Sequence, residues 1–340
     1  MAFSKSHRTA AQLTGIAQGT IDGVFGASIV SSYLPQRENL GLTFDFQVGN
    51  TSLNEAARFR SFNTESDIGS FEGSESRQGK LPPISRRLHV DEFAQVTQIG
   101  GDLGPVFESY ARRIAAQIAT RFVWAGAEAI ETGKLTIDER KLKFVIDYGR
   151  NPALTDTAGT AWSTHATATP IDDLEALRAV YGSAPGVILM SEATLQHLSK
   201  VTQIIDYATG GNSATVTRVS RDDVLSVLAS YGFSNIATND ESFIDHTGVE
   251  RSLFDQAKVL FLPSMGQTAL AAAAGTGPLG TTDFGVTAES LVTENGLGGR
   301  PGAAAGAIES DDPVGFDVLV AAIGLPILQN ANKTASLEVL

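Results

Sequence analysis

Residues 102–133 read DLGPVFESYARRIAAQIATRFVWAGAEAIETG, and the way this stretch folds decides how the rest of the chain is arranged. At helical spacing it puts Leu103, Phe107, Tyr110, Ala111, Ile114, Ile118, Phe122, Ala125 and Ala129 on one side. Arg112, Arg113, Gln117, Arg121, Glu128 and Glu131 fall mostly on the other faces. Asp102 suits an N-cap, Pro105 a first turn, and Gly133 the left-handed residue that ends a helix. Gly126 costs such a helix roughly 1 kcal/mol relative to alanine. A helix over 103–132 is a rod of about 42 Å at the usual rise per residue. Globular helices are commonly shorter, so this spine predicts an extended body rather than a ball.

Outward from the spine, residues 1–35 are small, polar and punctuated by Gly15, Gly19, Gly23 and Gly26, with a basic tip at Lys5, His7 and Arg8. They show no long periodicity and predict an arm that gains order by lying on something else. Residues 42–48, LTFDFQV, alternate: Leu42, Phe44, Phe46 and Val48 face one way, as in a half-buried strand. Arg58–Phe62 reads as the start of a returning strand, and a polar Gly/Ser-rich stretch follows. Such a hairpin is marginal alone and needs a neighbour. The segment KLPPI, Lys80–Ile84, ends the excursion.

After the spine, Leu135–Ile137 and Lys141–Tyr148 predict two strands, and 149–169 a loop carrying Trp162. From Thr169 the texture is α/β. Helices are predicted from Pro170 to about Gly182, from Ser191 through Leu198, and over Arg221–Tyr231. Strands are predicted at Val187–Met190, Ile236 and the strongly apolar Lys258–Pro263, with Asp206–Ser220 as a loop. Residues 264–313 read as a long Gly/Ala/Thr loop tract. Gly315–Ile323 and Ser336–Val339 read as strands that return to the sheet beside the spine.

The chain of 340 residues carries a formal charge of −13, which argues against a dedicated sequence-reading nucleic-acid binder. It has no cysteine, which excludes disulfides, zinc–thiolate sites and thiol nucleophiles. No apolar run is long enough to span a membrane. His7, His89, His165, His197 and His246 are scattered through the sequence. Asp245-His246 beside Asp240 reads as a polar turn. Gly275–Gly280 and Gly296–Gly302 lack the flanking strand and helix of a phosphate cradle. The acidic pairs Asp172-Asp173 and Asp222-Asp223 sit in first turns of predicted helices, where they complement the helix dipole. Arg112, Arg113 and Arg121 read as solvent-facing charges paired with Glu108 or Glu128, or as contacts to another subunit or a nucleic-acid backbone. No catalytic, cofactor or metal residue is therefore expected, and the chain is not expected to be an enzyme.

The order of parts is specific. A basic-tipped arm, a polar hairpin and KLPPISRRLHVDEF come first. The capped spine and KLTIDERKLKFVIDYG follow, then ATPIDDLEAL, KVLFLPS and GLPILQNANKTASLEVL. This order resembles the tailed-phage major capsid proteins of HK97-type fold, and more narrowly the capsid protein E family of the lambda shell. The resemblance implies an α+β chain with an N-terminal arm (1–40) and an extended hairpin, the E-loop (41–84). A P-domain would take 85–150 and 313–340 around the spine helix 103–132. An A-domain would take 151–312, including the tract 264–312. It implies self-assembly into pentamers and hexamers of an icosahedral head enclosing double-stranded DNA, located in the virion and assembled in the host cytoplasm. Its partners would be a separate scaffolding protein, a portal, a decoration protein and non-specifically contacted DNA. Some relatives crosslink a hairpin lysine to a P-domain asparagine, which points to Lys80 and Asn330 or Asn332. The arm and hairpin would then be ordered by sister copies. The alternatives are an encapsulin-like compartment, a small-molecule enzyme using the 169–262 lobe, or another assembly protein such as a tail tube.

Overall fold

The spine forms as one unbroken helix in a computed structural model that describes residues 3–4, 6–48, 75–97, 101–139, 141–211, 216–265, 278–311 and 314–340. In chain order the elements begin with α1 (Ala10–Ala27), α2 (Ile29–Tyr33), β1 (Gln36–Glu38), β2 (Thr43–Val48), β3 (Glu75–Lys80), β4 (Pro83–Val90) and α3 (Glu92–Thr97). The spine is α4 (Gly104–Thr132), followed by β5 (Lys134–Glu139), β6 (Leu142–Asp147) and β7 (Thr155–Thr157). Next come α5 (Pro170–Tyr181), β8 (Val187–Met190), α6 (Glu192–Leu198), α7 (Thr202–Thr209) and α8 (Arg221–Ser230). The rest are β9 (Ile236–Thr238), β10 (Ser242–Ile244), β11 (Glu250–Ser252), β12 (Lys258–Leu262), β13 (Gly280–Phe284), β14 (Ala304–Asp311), β15 (Val314–Leu328) and β16 (Ala335–Glu338).

The spine's start and stop are partly as expected. Leu103, not Asp102, holds the cap position, because its backbone is already helical. The Asp102 carboxylate instead accepts the Gly104 N–H at 2.9 Å and so satisfies one of the first turn's orphan donors. Gly133 ends the helix at φ 70°. All the residues assigned to the apolar face are buried except Tyr110, which is half-buried. Ala115, Ala119, Val123, Ala127 and Ile130 are buried as well. The spine is covered from two sides, by α1 and α2 and by a sheet, so its buried surface is wider than one stripe. Gly126 belongs to this packing: a Cβ there would lie 2.6 Å from Val30 Cγ1 of α2.

The N-terminal segment corrects the sequence reading. Residues 10–27 are helical, opened by a capping box between Thr9 and Gln12, and they lie on the chain's own body. Leu13, Ala17, Ile21 and Phe25 join the core that contains Phe107, Ile114 and Ile118. Small residues dilute the apolar signal of this helix, and Gly15, Gly19, Gly23 and Gly26 have nothing within 4 Å of where a Cβ would stand. The expectation that sister copies must order the arm therefore fails for this helix.

Under the spine lies a sheet in the order β1-β13-β15-β14, with β4 also paired to β15. The fifteen-residue β15 holds β14 against Val314–Ala321, β4 against Phe316–Ile323 and β13 against Gly324–Leu328. Val318, Val320 and Ala322 alternate into the spine core. The tract 264–313 is thus not simply loop: β13 and β14 belong to this sheet, so the expected A-domain limits, 151–312, do not follow strand pairing. β13, sequence GTTDF, is fully buried although polar, because its backbone pairs within the sheet and its side chains find partners, Thr281 on Asp283 and Thr282 on Leu34 O at the end of α2.

A second sheet runs β7-β16-β12-β8-β9. Its central β12 explains KVLFL. Leu260 and Leu262 enter the spine core, and Val259 and Phe261 enter a second core with Trp162, Leu174 and Leu228. Apolar residues on both faces make this sheet the wall between two lobes. β16 pairs with β12 and β7 rather than with the strands beside the spine, because Ala335 and Leu337 face the second core. The 313–340 segment is therefore divided between the lobes, which corrects its assignment to one. Residues 202–209, read partly as loop, form α7, which ends at the left-handed Gly210. The returning strand expected at Arg58–Phe62 lies outside the described residues; β2 pairs with β3, from Thr43↔Lys80 to Val48↔Glu75.

Candidate functional site

The hairpin base is fastened to the body by fixed contacts. Phe44 lies across β3 where the chain has Gly79; a Cβ there would be 2.4 Å from the ring. Phe44 stacks on Phe46, and Phe46 packs on Tyr148 with centroids 5.3 Å apart. The Tyr148 hydroxyl donates to Pro326 O at 2.6 Å, and burial raises its pKa far above the usual tyrosine value. Leu42, expected beside Phe44, precedes β2 and is exposed, as is Leu40. Below them Arg37 grips the fully buried Asp283 through Nε at 2.9 Å and Nη2 at 2.6 Å. The Thr281 hydroxyl and Asn39 Nδ2 also donate to that carboxylate, so the charge is paired and solvated by the protein.

A second cluster joins the spine to the β10–β11 hairpin. The Arg121 guanidinium lies 4.5 Å over Trp124, Phe243 packs against the same indole, and Arg251 approaches it at 6.0 Å. Arg121 pairs with Glu139 at 2.8 Å, not with Glu128. Asp245, its side chain 1% exposed, accepts from the N–H groups of Thr247 and Val249, the Thr247 hydroxyl and Arg251 Nε. Hydrogen bonds from Thr247 and Arg251 hold its pKa far below the ordinary carboxylate value. Beside this cluster a cleft of about 430 Å³ is lined by Trp124, Glu128, Glu131 and Arg251–Gln256.

The residues weighed for chemistry are placed in structural roles. Asp240 accepts the Glu192 N–H at the start of α6, and His246 is exposed in the turn that Asp245 organises. Among the described residues no group of three or more His, Asp or Glu could hold a metal ion. Asp173 accepts the Trp162 indole N–H at 2.9 Å, and Asp223 closes a capping box with Ser220. The Gly296–Gly302 tract uses left-handed glycines and leads into β14, not into a helix. Arg112 lies 3.8 Å from Glu108, as expected, and Arg113 is exposed. Lys80 ends β3, Asn330 donates to Pro278 O, and Asn332 accepts the Asn151 N–H. His89 meets Asp317 at 2.8 Å, and His7 sits edge-on to Phe107 and Phe316. The histidines are not all scattered: the fold brings His165 and His197 to 3.1 Å, a pairing that their separation of 32 positions conceals in the sequence.

Among the described residues no helix is long and apolar enough to cross a membrane. No protein-family model and no curated protein matches the sequence. Solved structures do match over its whole length. A protein from Escherichia coli CFT073 assigned as the capsid protein of a prophage superposes with a TM-score of 0.64 at 14% identity, covering 100% of both chains. A phage-related protein from Bordetella bronchiseptica RB50 gives 0.52 at 12% identity, covering 94% of this chain and 96% of that one. The chain therefore has a mixed helix-and-sheet fold of the HK97 type, the class found in phage capsid proteins. At this identity the likeness is one of fold; the narrower capsid protein E family is matched by nothing beyond the sequence order described above.

Proposed function

We propose that the chain is the major shell subunit of a phage head, assembling with copies of itself into pentamers and hexamers around double-stranded DNA. The observation that carries this reading is the superposition on the protein assigned as a prophage capsid protein, which covers 100% of both chains. In this reading the β2–β3 hairpin is the E-loop that lies over a neighbour, with Leu40 and Leu42 at its root as contact surface. The spine and the β15 sheet form the P-domain. The second lobe is the A-domain. An acidic chain of charge −13 encloses DNA without gripping it. A separate scaffold, a portal and a decoration protein would complete the head, which would assemble in the host cytoplasm.

The test is negative-stain microscopy of the purified full chain, alone and coexpressed with its neighbouring head genes. Closed polyhedral particles of uniform size are expected. A monodisperse monomer under both conditions overturns the reading. Closed particles that never take up nucleic acid in an infected or induced host replace the phage head with a cargo compartment.

A further inference from the structure

We propose that His165 and His197 form a two-imidazole site for a divalent first-row transition metal ion, copper(II) binding most tightly. The proposal rests on the second lobe alone and is independent of the shell reading. His165 lies in the loop before α5, and His197 in the last turn of α6. His165 Nε2 and His197 Nδ1 face each other at 3.1 Å, with ring planes 25° apart. Metal–imidazole bonds are about 2.0–2.1 Å long. A 3.1 Å span between donors then corresponds to an N–M–N angle of about 98° (twice the arcsine of 1.55/2.05). That value lies between the cis angle of square-planar or octahedral ions and the tetrahedral angle, so the separation suits an ion; the ring centroids, 5.3 Å apart, aim the two lone pairs nearly at each other, and each ring turns toward the ion on binding.

The backbone at both positions is held before any ion arrives. The His165 carbonyl accepts the Thr202 N–H at 2.9 Å, within a turn where Ala168 N–H bonds Thr164 O. The His197 carbonyl accepts the Lys200 N–H at 3.0 Å. In the metal-free chain one imidazole N–H bridges the two nitrogens; on binding, that ring changes tautomer, its proton ending on its other nitrogen by exchange with solvent, and both facing lone pairs go to the metal. Both residues are half-buried, which leaves the remaining coordination positions to water. With no carboxylate in the set, hard ions such as Mg²⁺ have no oxygen ligand to prefer.

The experiment titrates the full chain with CuCl₂, NiCl₂ and MgCl₂ by calorimetry at pH 7.5 and pH 5.5, with copper EPR on the wild type. One equivalent is expected, copper tighter than nickel, with no response to magnesium and at least tenfold weaker binding at pH 5.5. EPR should show two coupled nitrogens. His165→Asn and His197→Asn, each checked by circular dichroism, should each weaken binding at least tenfold. Lys200→Gln should tighten it severalfold by removing a like charge. No saturable binding, or equal binding in both folded asparagine variants, overturns the proposal. Because EPR reads the wild type, a spectrum lacking two nitrogens overturns it even if the variants fail to fold.

Discussion

At the scale of single residues, the clearest lesson is Gly126. Helix propensity alone predicts that Gly126→Ala stabilises the spine by roughly 1 kcal/mol. The packing predicts the opposite, because the new methyl would meet Val30 Cγ1, itself fully buried, at 2.6 Å. Overpacking of this kind costs about 1–3 kcal/mol. We expect Gly126→Ala to lower the melting temperature, and Gly126→Ala with Val30→Ala to recover part of the loss in calorimetry. Asp245 supplies a second test. Its pKa is depressed in the folded chain, so its stabilisation is present above the ordinary carboxylate pKa and is lost as pH falls through the folded value. Amide exchange at Thr247 and Val249 should therefore stay slow, at constant opening free energy, from pH 7 to below pH 4, and protection should be lost only at stronger acidity. Neither residue was readable beforehand. Glycine in a helix shows its propensity but not its neighbour, and Asp245 shows a turn but not the arginine six positions on.

At the scale of elements, legibility followed the strength of the repeat. The spine and the flanking strands β5 and β6 were plain because their apolar residues recur at a helical or two-residue period. The β12 strand was plain because four of the five residues of KVLFL are apolar, and the reason appeared only in the fold, where they face two cores. Helix α1 was hidden by its glycines and alanines, and β13 by threonines that are satisfied only inside a sheet. The helix invites two opposing substitutions. Phe25→Ala should cost about 3–5 kcal/mol in denaturant unfolding of the isolated subunit, because the ring is fully buried against the spine. If α1 were an arm ordered only by neighbours, the same change would leave the isolated subunit unaltered. Gly15→Ala, Gly19→Ala and Gly23→Ala should each add roughly 0.5–1 kcal/mol, since nothing stands within 4 Å of the added methyl.

At the scale of the whole molecule, two lobes share one wall, and the hairpin is fixed to the body at its base by Phe44, Phe46 and Tyr148. Replacing residues 50–73 with a two-residue Asn-Gly turn should leave the thermal stability of the subunit within a few degrees of the parent, since the base contacts remain. In the proposed reading it should abolish closed particles in the microscope. Unchanged assembly would remove the hairpin from the contacts that close a shell. The role proposed for this surface comes only from the order of parts, because a contact with another copy would leave no period in the sequence.

The placement of β15 and β16 has a consequence for synthesis. Each of the two sheets takes a strand from residues 314–340, β15 in one and β16 in the other. A nascent chain ending before residue 314 thus lacks a strand that both lobes require. Neither half can complete its sheet before that segment has been made, so the folding of the two halves is coupled in time.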